Sequence, residues 1–344
     1  MCVRRLRAFQ ERWMKMRPKV LLVEPIGDPG TRMLQELTDI EILPKLSQRL
    51  LLAHIRNVDA VIIRAMLHVD RQAIDSARRL KVIGRFGVGI DNIDVKRATE
   101  LRIPIVWTPE ANCAAVADFT LGLIICMARK ISDADRALRR HASWQKRHEF
   151  VGTDVSQKVL GIIGFGRIGR AVAERAKGFR MKVLVHDPFV DHAVVTGLGA
   201  SPVSLEELLR QSDFVSIHVP FTAETRKLIG HREISMMKTQ AFIVNTARGG
   251  IVDSGALLEA LRTGRIAGAA LDTFEKEPPS RRNRLFGLDN IITTPHIAAF
   301  SRETLERTSA MVAEGVLSVL SNERPPFVFN MSVYEREGTR NDNQ

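Results

Sequence analysis

The chain has 344 residues, 45% of them apolar and 26% charged, with a formal net charge of +12. The length points to about two domains and the composition to an ordinary globular protein, which excludes a disordered chain. The longest uncharged apolar run, Phe119 to Ala128, is too short for a bilayer span of about 20 residues, so no membrane partner is expected. Cys2, Cys113 and Cys126 are scattered, giving neither a disulfide framework nor a metal-ligand spacing. Free thiols fit a reducing compartment, and a cytoplasmic protein is the expectation.

The positive charge is unevenly placed. Residues 1–17 carry Arg4, Arg5, Arg7, Arg12, Lys15 and Arg17 against Glu11 alone. Residues 1–15 show no core pattern and read as a disordered extension, with an Arg-rich targeting peptide or a surface helix as alternatives. Two further basic stretches, Arg136–Arg147 and Arg281–Arg284, lack the interleaved aromatics of a single-strand binder. They read as solvated faces that steer anions, and no nucleic-acid partner is expected.

From Lys19 onward short apolar runs alternate with helical patterns. Lys19–Val23, Ala60–Ile63, Val82–Ile83 and Ile105–Trp107 read as buried parallel strands, and a long helix spans about Asn112 to Arg129. On that helix Cys113 and Cys126 read as buried small hydrophobes, and Trp144 reads as a surface-to-core anchor. Strand Lys158–Ile163 is followed at once by helix Arg167–Lys177 and strand Met181–His186. Further strands are expected at Phe214–His218, Phe242–Asn245, Ile266–Leu271 and Ile291–Thr293, and helices at Ser204–Arg210, Asp253–Arg262 and Ser301–Leu320. This alternation implies an α/β protein with open parallel sheets covered on both faces.

Gly164-Phe-Gly166-Arg-Ile-Gly169 leaves a strand and opens a helix, the context in which a G-x-G-x-x-G binds a dinucleotide. Gly164 permits the tight turn, Gly166 lets the backbone approach a pyrophosphate, and Gly169 lets helix and strand pack closely. The helix N-terminus offers free N–H groups to the anion. Asp187 closes the next strand, where a carboxylate accepts from the ribose hydroxyls and repels a 2′-phosphate, so NAD is expected over NADP.

Three polar residues follow successive strands: Arg248, Glu277 and His296. Reduction of a ketone makes an alkoxide that must gain a proton, and a histidine can supply it near neutral pH. A carboxylate bonded to that ring fixes its tautomer, and an arginine binds a 2-oxo carboxylate in a fork. His218 reads as a packing residue at a strand end.

Residues 19 to 330 resemble the D-isomer-specific 2-hydroxyacid dehydrogenase family. The motifs that carry this are Arg85–Asp94, Gly161–Gly169, Asn245–Asp253, Gly268–Phe274 with Glu277-Pro278, and Pro295–Ala298. The resemblance implies two Rossmann-like domains with the active site in the cleft between them. Residues 16–112 and 300–334 would form a discontinuous substrate domain, and 113–299 the NAD domain. His296 would be the proton donor, Glu277 its partner and Arg248 the substrate arginine. The N–H groups of Val88 and Gly89 would hold the substrate carboxylate, and Arg64 its distal end. Arg167 and Ile168 would meet the pyrophosphate. Val219, Pro220, Thr246 and Asp272 would line the nicotinamide side together with His296. The helix after Asn112 would form a homodimer interface. Among small anionic 2-hydroxy or 2-oxo acids, 3-phosphoglycerate/phosphohydroxypyruvate ranks first and hydroxypyruvate or glyoxylate next. Ala65 after Arg64 and the text Ile-Ala-Ala-Phe-Ser after His296 differ from what phosphoglycerate enzymes often carry. An NAD-sensing, corepressor-like binding protein is the alternative of another class.

Overall fold

Runs of four or five aliphatic residues form strands buried on both faces, because helices cover each sheet from either side. The computed structural model describes residues 17–141 and 144–335, so the expectation for residues 1–15 lies outside the described residues. The chain divides into two units, one built from the described residues 17–112 and 301–335, the other from 113–300.

The first unit holds β1 (Lys19–Leu22), β2 (Asp39–Ile42), β3 (Ala60–Ile63), β4 (Val82–Arg85) and β5 (Ile105–Val106). Their order is β2-β1-β3-β4-β5, all pairs parallel. Chain connections diverge between β1 and β3, which makes the carboxyl ends of those two strands the topological switch point, where open α/β sheets receive ligands. Alternation along β1 sends Leu21 to one core, with Leu51, Ile55 and Ile74, and Leu22 to the other, with Val312 and Val316. The second core therefore depends on the helix Arg302–Leu320, supplied from far along the chain.

That helix meets the helix Asp28–Leu37 at Gly30. The Gly30 N–H donates to Ser309 Oγ at 2.9 Å, and Ser309 Oγ donates to the Gly27 carbonyl at 3.1 Å. A Cβ on Gly30 would stand 2.2 Å from the Ser309 carbonyl oxygen, closer than any real contact.

The second unit holds β6 (Val159–Ile163), β7 (Lys182–His186), β8 (Ser201–Pro202), β9 (Phe214–Ile217), β10 (Phe242–Asn245), β11 (Gly268–Leu271) and β12 (Ile291–Thr293). The order is β12-β11-β10-β9-β6-β7-β8, again all parallel. This is the dinucleotide-binding order 3-2-1-4-5-6 extended by β12, with its switch point between β6 and β9. Leu160 and Ile162 pack against the helices Cys113–Ala128 and Arg167–Gly178, while Ile163, Val215 and Ile217 face Leu208, Ile234 and Leu257.

Two sequence expectations need correction. Trp144 is no core anchor: it is 66% exposed, in a turn whose neighbours Gln145 to Glu149 are all polar and offer no apolar surface to share. Cys113 and Cys126 are half-buried, because Cys113 opens its helix and Cys126 lies beside the face that the sheet leaves uncovered. Among the described residues no helix is long and apolar enough to cross a membrane, and no group of three or more His, Cys, Asp or Glu could hold a metal.

Gly30→Ala should lower stability by about 2 kcal/mol or more, since the helices must separate to admit the methyl group. A thermal melt followed by circular dichroism checks this, and an unchanged midpoint would contradict the close packing at Ser309.

Candidate active site

The glycine loop lies at the switch point of the second sheet. Gly164 has φ +93°, and a Cβ there would meet the backbone and side chain of His218 and Val219 at 2.8 Å. The loops after β6 and β9 thus touch across the crevice. A Cβ on Gly169 would strike the Gly164 carbonyl oxygen at 2.2 Å, so helix and loop pack at glycine distance. A Cβ on Gly166 would meet nothing within 4 Å, which leaves open space at the N-terminus of the helix Arg167–Gly178. Tight glycines on two sides and open space over the third fit a pyrophosphate.

Asp187 fastens this loop. One carboxylate oxygen accepts from the Phe165 N–H at 2.7 Å and the other from the Phe189 N–H at 2.9 Å. Each oxygen keeps a second lone pair for a ribose hydroxyl. Arg167 is exposed and Ile168 half-buried at the helix start. Val219 is half-buried and Pro220 exposed just beyond β9. Thr246 is buried, its hydroxyl paired with that of Thr120 at 3.0 Å. His218 pairs with Ser216 Oγ through Nε2 at 2.8 Å, and burial pushes its imidazole down to about 3, so it is neutral near pH 7.

The loops after β10, β11 and β12 bring Arg248, Glu277 and His296 to one edge of this sheet. Asn245, fully buried at the end of β10, donates from Nδ2 to the Arg248 carbonyl at 2.7 Å and accepts from the Ala247 N–H at 3.0 Å. A Cβ on Gly249 would stand 1.9 Å from the Phe274 carbonyl carbon, so the Arg248 turn lies directly against the loop that leads to Glu277.

Asp272 controls the third loop. It is fully buried, with Oδ1 accepting from Thr294 Oγ1 at 2.6 Å and the Ile297 N–H at 2.9 Å, and Oδ2 from the Ala298 N–H at 2.8 Å. Its carbonyl accepts from the His296 N–H at 2.9 Å. Held on both sides, His296 takes φ +55°, a left-handed conformation that a side chain adopts only when its surroundings impose it. His296 Nδ1 then meets Glu277 Oε2 at 2.6 Å, while Glu277 Oε1 accepts from the Phe274 N–H at 3.0 Å.

Burial alone would raise the Glu277 carboxyl. The bonds from His296 and Phe274, with the positive charge of His296 and Arg248, outweigh it and hold the group below its ordinary 4.5. With Nδ1 engaged, Nε2 is the ring nitrogen available to exchange a proton.

In the first unit, the loop after β4 carries Val88 and Gly89. Arg85 is buried and folds over it, donating from Nη1 to the Phe86 carbonyl and from Nε to the Gly89 carbonyl, each at 2.5 Å. Among the described residues the N–H groups of Val88 and Gly89 donate to nothing, a pair of open donors suited to an anion. Arg64 follows β3 and lies 4.7 Å over the Phe86 ring. Its Nε is 4.0 Å from Glu24 Oε2, a partner that sequence patterning did not single out. The anchoring of the His296 loop by Asp272 likewise leaves no mark in the sequence pattern.

Residues 121–298 match the model of the D-isomer specific 2-hydroxyacid dehydrogenase NAD binding domain. The chain is 42% identical over 314 residues to a D-3-phosphoglycerate dehydrogenase of Methanocaldococcus jannaschii, covering 91% of this chain but 59% of that protein. It is 39% identical over 327 residues to a glyoxylate reductase of Thermococcus litoralis, covering 92% of this chain and 98% of that one. The crystal structure of the TT0316 protein from Thermus thermophilus superposes with a TM-score of 0.85 at 34% identity, covering 90% of this chain and 99% of that chain. The chain thus spans about three-fifths of the phosphoglycerate dehydrogenase it matches and nearly all of the glyoxylate reductase.

A carboxyl held below its ordinary value contributes stability that is present above pH 4.5 and lost as pH falls through the folded-state value. Glu277→Gln should therefore melt below the wild type at pH 7, with the two curves converging as pH drops below 4.5. Melting temperatures across pH 3 to 8 test this, and parallel curves would contradict the Glu277–His296 bond.

Proposed function

This chain belongs to the D-isomer-specific 2-hydroxyacid dehydrogenase family, and on that footing we propose that it interconverts a small 2-hydroxy acid and its 2-oxo acid with NAD(H). The observation that carries the proposal is the His296–Glu277 pair at 2.6 Å, placed with Arg248 at the carboxyl ends of β10 to β12 in a sheet that also bears the glycine loop.

Gly164, Gly166, Gly169, Arg167 and Ile168 hold the pyrophosphate, and Asp187 accepts from the ribose hydroxyls. Val219, Pro220, Thr246, Asp272 and His296 surround the nicotinamide end. When bound, NADH supplies the hydride that reduces the 2-oxo carbon. Arg248 forks onto the substrate and polarises its ketone, which favours the negative charge that develops on oxygen. His296 gives that oxygen a proton from Nε2, and Glu277 stabilises the imidazolium that must be present before transfer. In the reverse direction His296 takes the hydroxyl proton back. The open N–H groups of Val88 and Gly89 receive the substrate carboxylate, and Arg64 meets its distal end.

The sequence motifs favour 3-phosphoglycerate/phosphohydroxypyruvate as the substrate. The contact between Arg64 and Glu24 favours the second reading, hydroxypyruvate or glyoxylate, because it sets a carboxylate beside the cation that a phosphate would need. A homodimer through the helix Cys113–Ala128 completes the proposal, since Phe119 and Ile125 leave apolar surface only half-buried there.

The test is oxidation of NADH, and separately of NADPH, with glyoxylate as acceptor. Turnover with NADH, at kcat/KM about tenfold or more above NADPH, is the expected result. NADPH preference would remove the role given to Asp187. NADH binding without turnover of any 2-oxo acid would favour a corepressor-like binding protein.

A further inference from the structure

The switch point of the first sheet holds a charge pair that hydride and proton transfer do not use. Glu24 follows β1 and Arg64 follows β3, the two strands between which the connections diverge. Both side chains are mostly covered, at 18% and 24% exposure. Arg64 is held in place: its guanidinium lies over Phe86 at 4.7 Å, its Nη1 donates to the Pro25 carbonyl at 3.3 Å, and its own carbonyl accepts from Asn92 Nδ2 at 2.7 Å. Asn92 also donates to the Leu67 carbonyl at 2.6 Å, which pins the loop that carries Arg64. Glu24 sets Oε2 4.0 Å from Arg64 Nε, and its Oε1 is buried and accepts from nothing among the described residues.

We propose that Glu24 is a specificity-determining residue, selecting 2-oxo acids that end in an uncharged hydroxymethyl group over those that end in a phosphate. The inference rests on the placement of the substrate's distal end at Arg64 proposed above. A carboxylate oxygen can only accept. A hydroxymethyl group suits this pair: its O–H donates to the Glu24 carboxylate beside Arg64 while its oxygen accepts from Arg64. A phosphate monoester brings a charge of about −1.5 to −2 and a set of acceptor oxygens. It would gain Arg64 and at the same time face Glu24 with no donor between them. Charge placed against the wrong ligand is a common route to selectivity, and it acts here without any change in pocket size.

The test measures kcat/KM with NADH for hydroxypyruvate, phosphohydroxypyruvate and glyoxylate, in the wild type and in Glu24→Gln. The wild type should prefer hydroxypyruvate over its phosphorylated form by about tenfold or more. Glutamine keeps the shape and one acceptor, loses the charge and adds an N–H donor. The ratio should therefore move toward the phosphorylated acid by about tenfold or more. A wild type that prefers the phosphorylated acid overturns the proposal, and this comparison does not depend on how the variant folds. An unmoved ratio in a folded variant overturns it too. Failure to reduce any of the three acids would instead overturn the proposed function, whereas glyoxylate turnover with an unmoved ratio leaves that function standing and removes only the role of Glu24.

Discussion

The buried carboxylate of Asp272 is the constraint on which the candidate site depends. It gathers a hydroxyl and two backbone N–H groups from residues 294 to 298, and its carbonyl takes a third N–H from His296 itself. A buried carboxylate is tolerated only when it is fully hydrogen-bonded, so this loop cannot leave without stranding a charge. The same clamp imposes the left-handed backbone at His296, and from that backbone the ring reaches Glu277. Geometry that a proton donor must hold is thus set by a residue that need not touch the proton.

The two sheets offer ligand positions by one topological rule. In each, the carboxyl ends of two strands flank the point where connections diverge: β6 and β9 in the second unit, β1 and β3 in the first. The glycine loop stands at the first of these places, Glu24 and Arg64 at the second. The chemistry differs because one crevice is bounded by glycines that leave open space at a helix N-terminus and the other by a pair of opposite charges.

Much of this was legible in the sequence. Buried strands read as apolar runs, so β3, β10 and β12 match their expected bounds, and the glycine spacing marked the loop after β6, where Gly164 and Gly169 have no room for a Cβ. Arg248, Glu277 and His296 could be singled out because each follows a strand. What could not be read was whatever depends on distant partners. Asp272 bonds residues 22 to 26 positions away, and Glu24 meets Arg64 across two strands, so neither leaves a local pattern. The edge strand β2, Asp-Ile-Glu-Ile, was missed because its alternation is short and half-exposed, and β8 because it is two residues ending in proline. Trp144 misled because indole size suggests burial, while its polar neighbours keep it in solvent.

His296 is proposed to move the proton, while the pyrophosphate and the ribose of the cofactor are held by other residues. The most direct measurement is kcat for NADH-linked reduction of glyoxylate by His296→Ala, taken with the NADH dissociation constant from nucleotide fluorescence. The expected result is a fall in kcat of about 10²- to 10⁴-fold with the dissociation constant nearly unchanged. Turnover at the wild-type rate would contradict it.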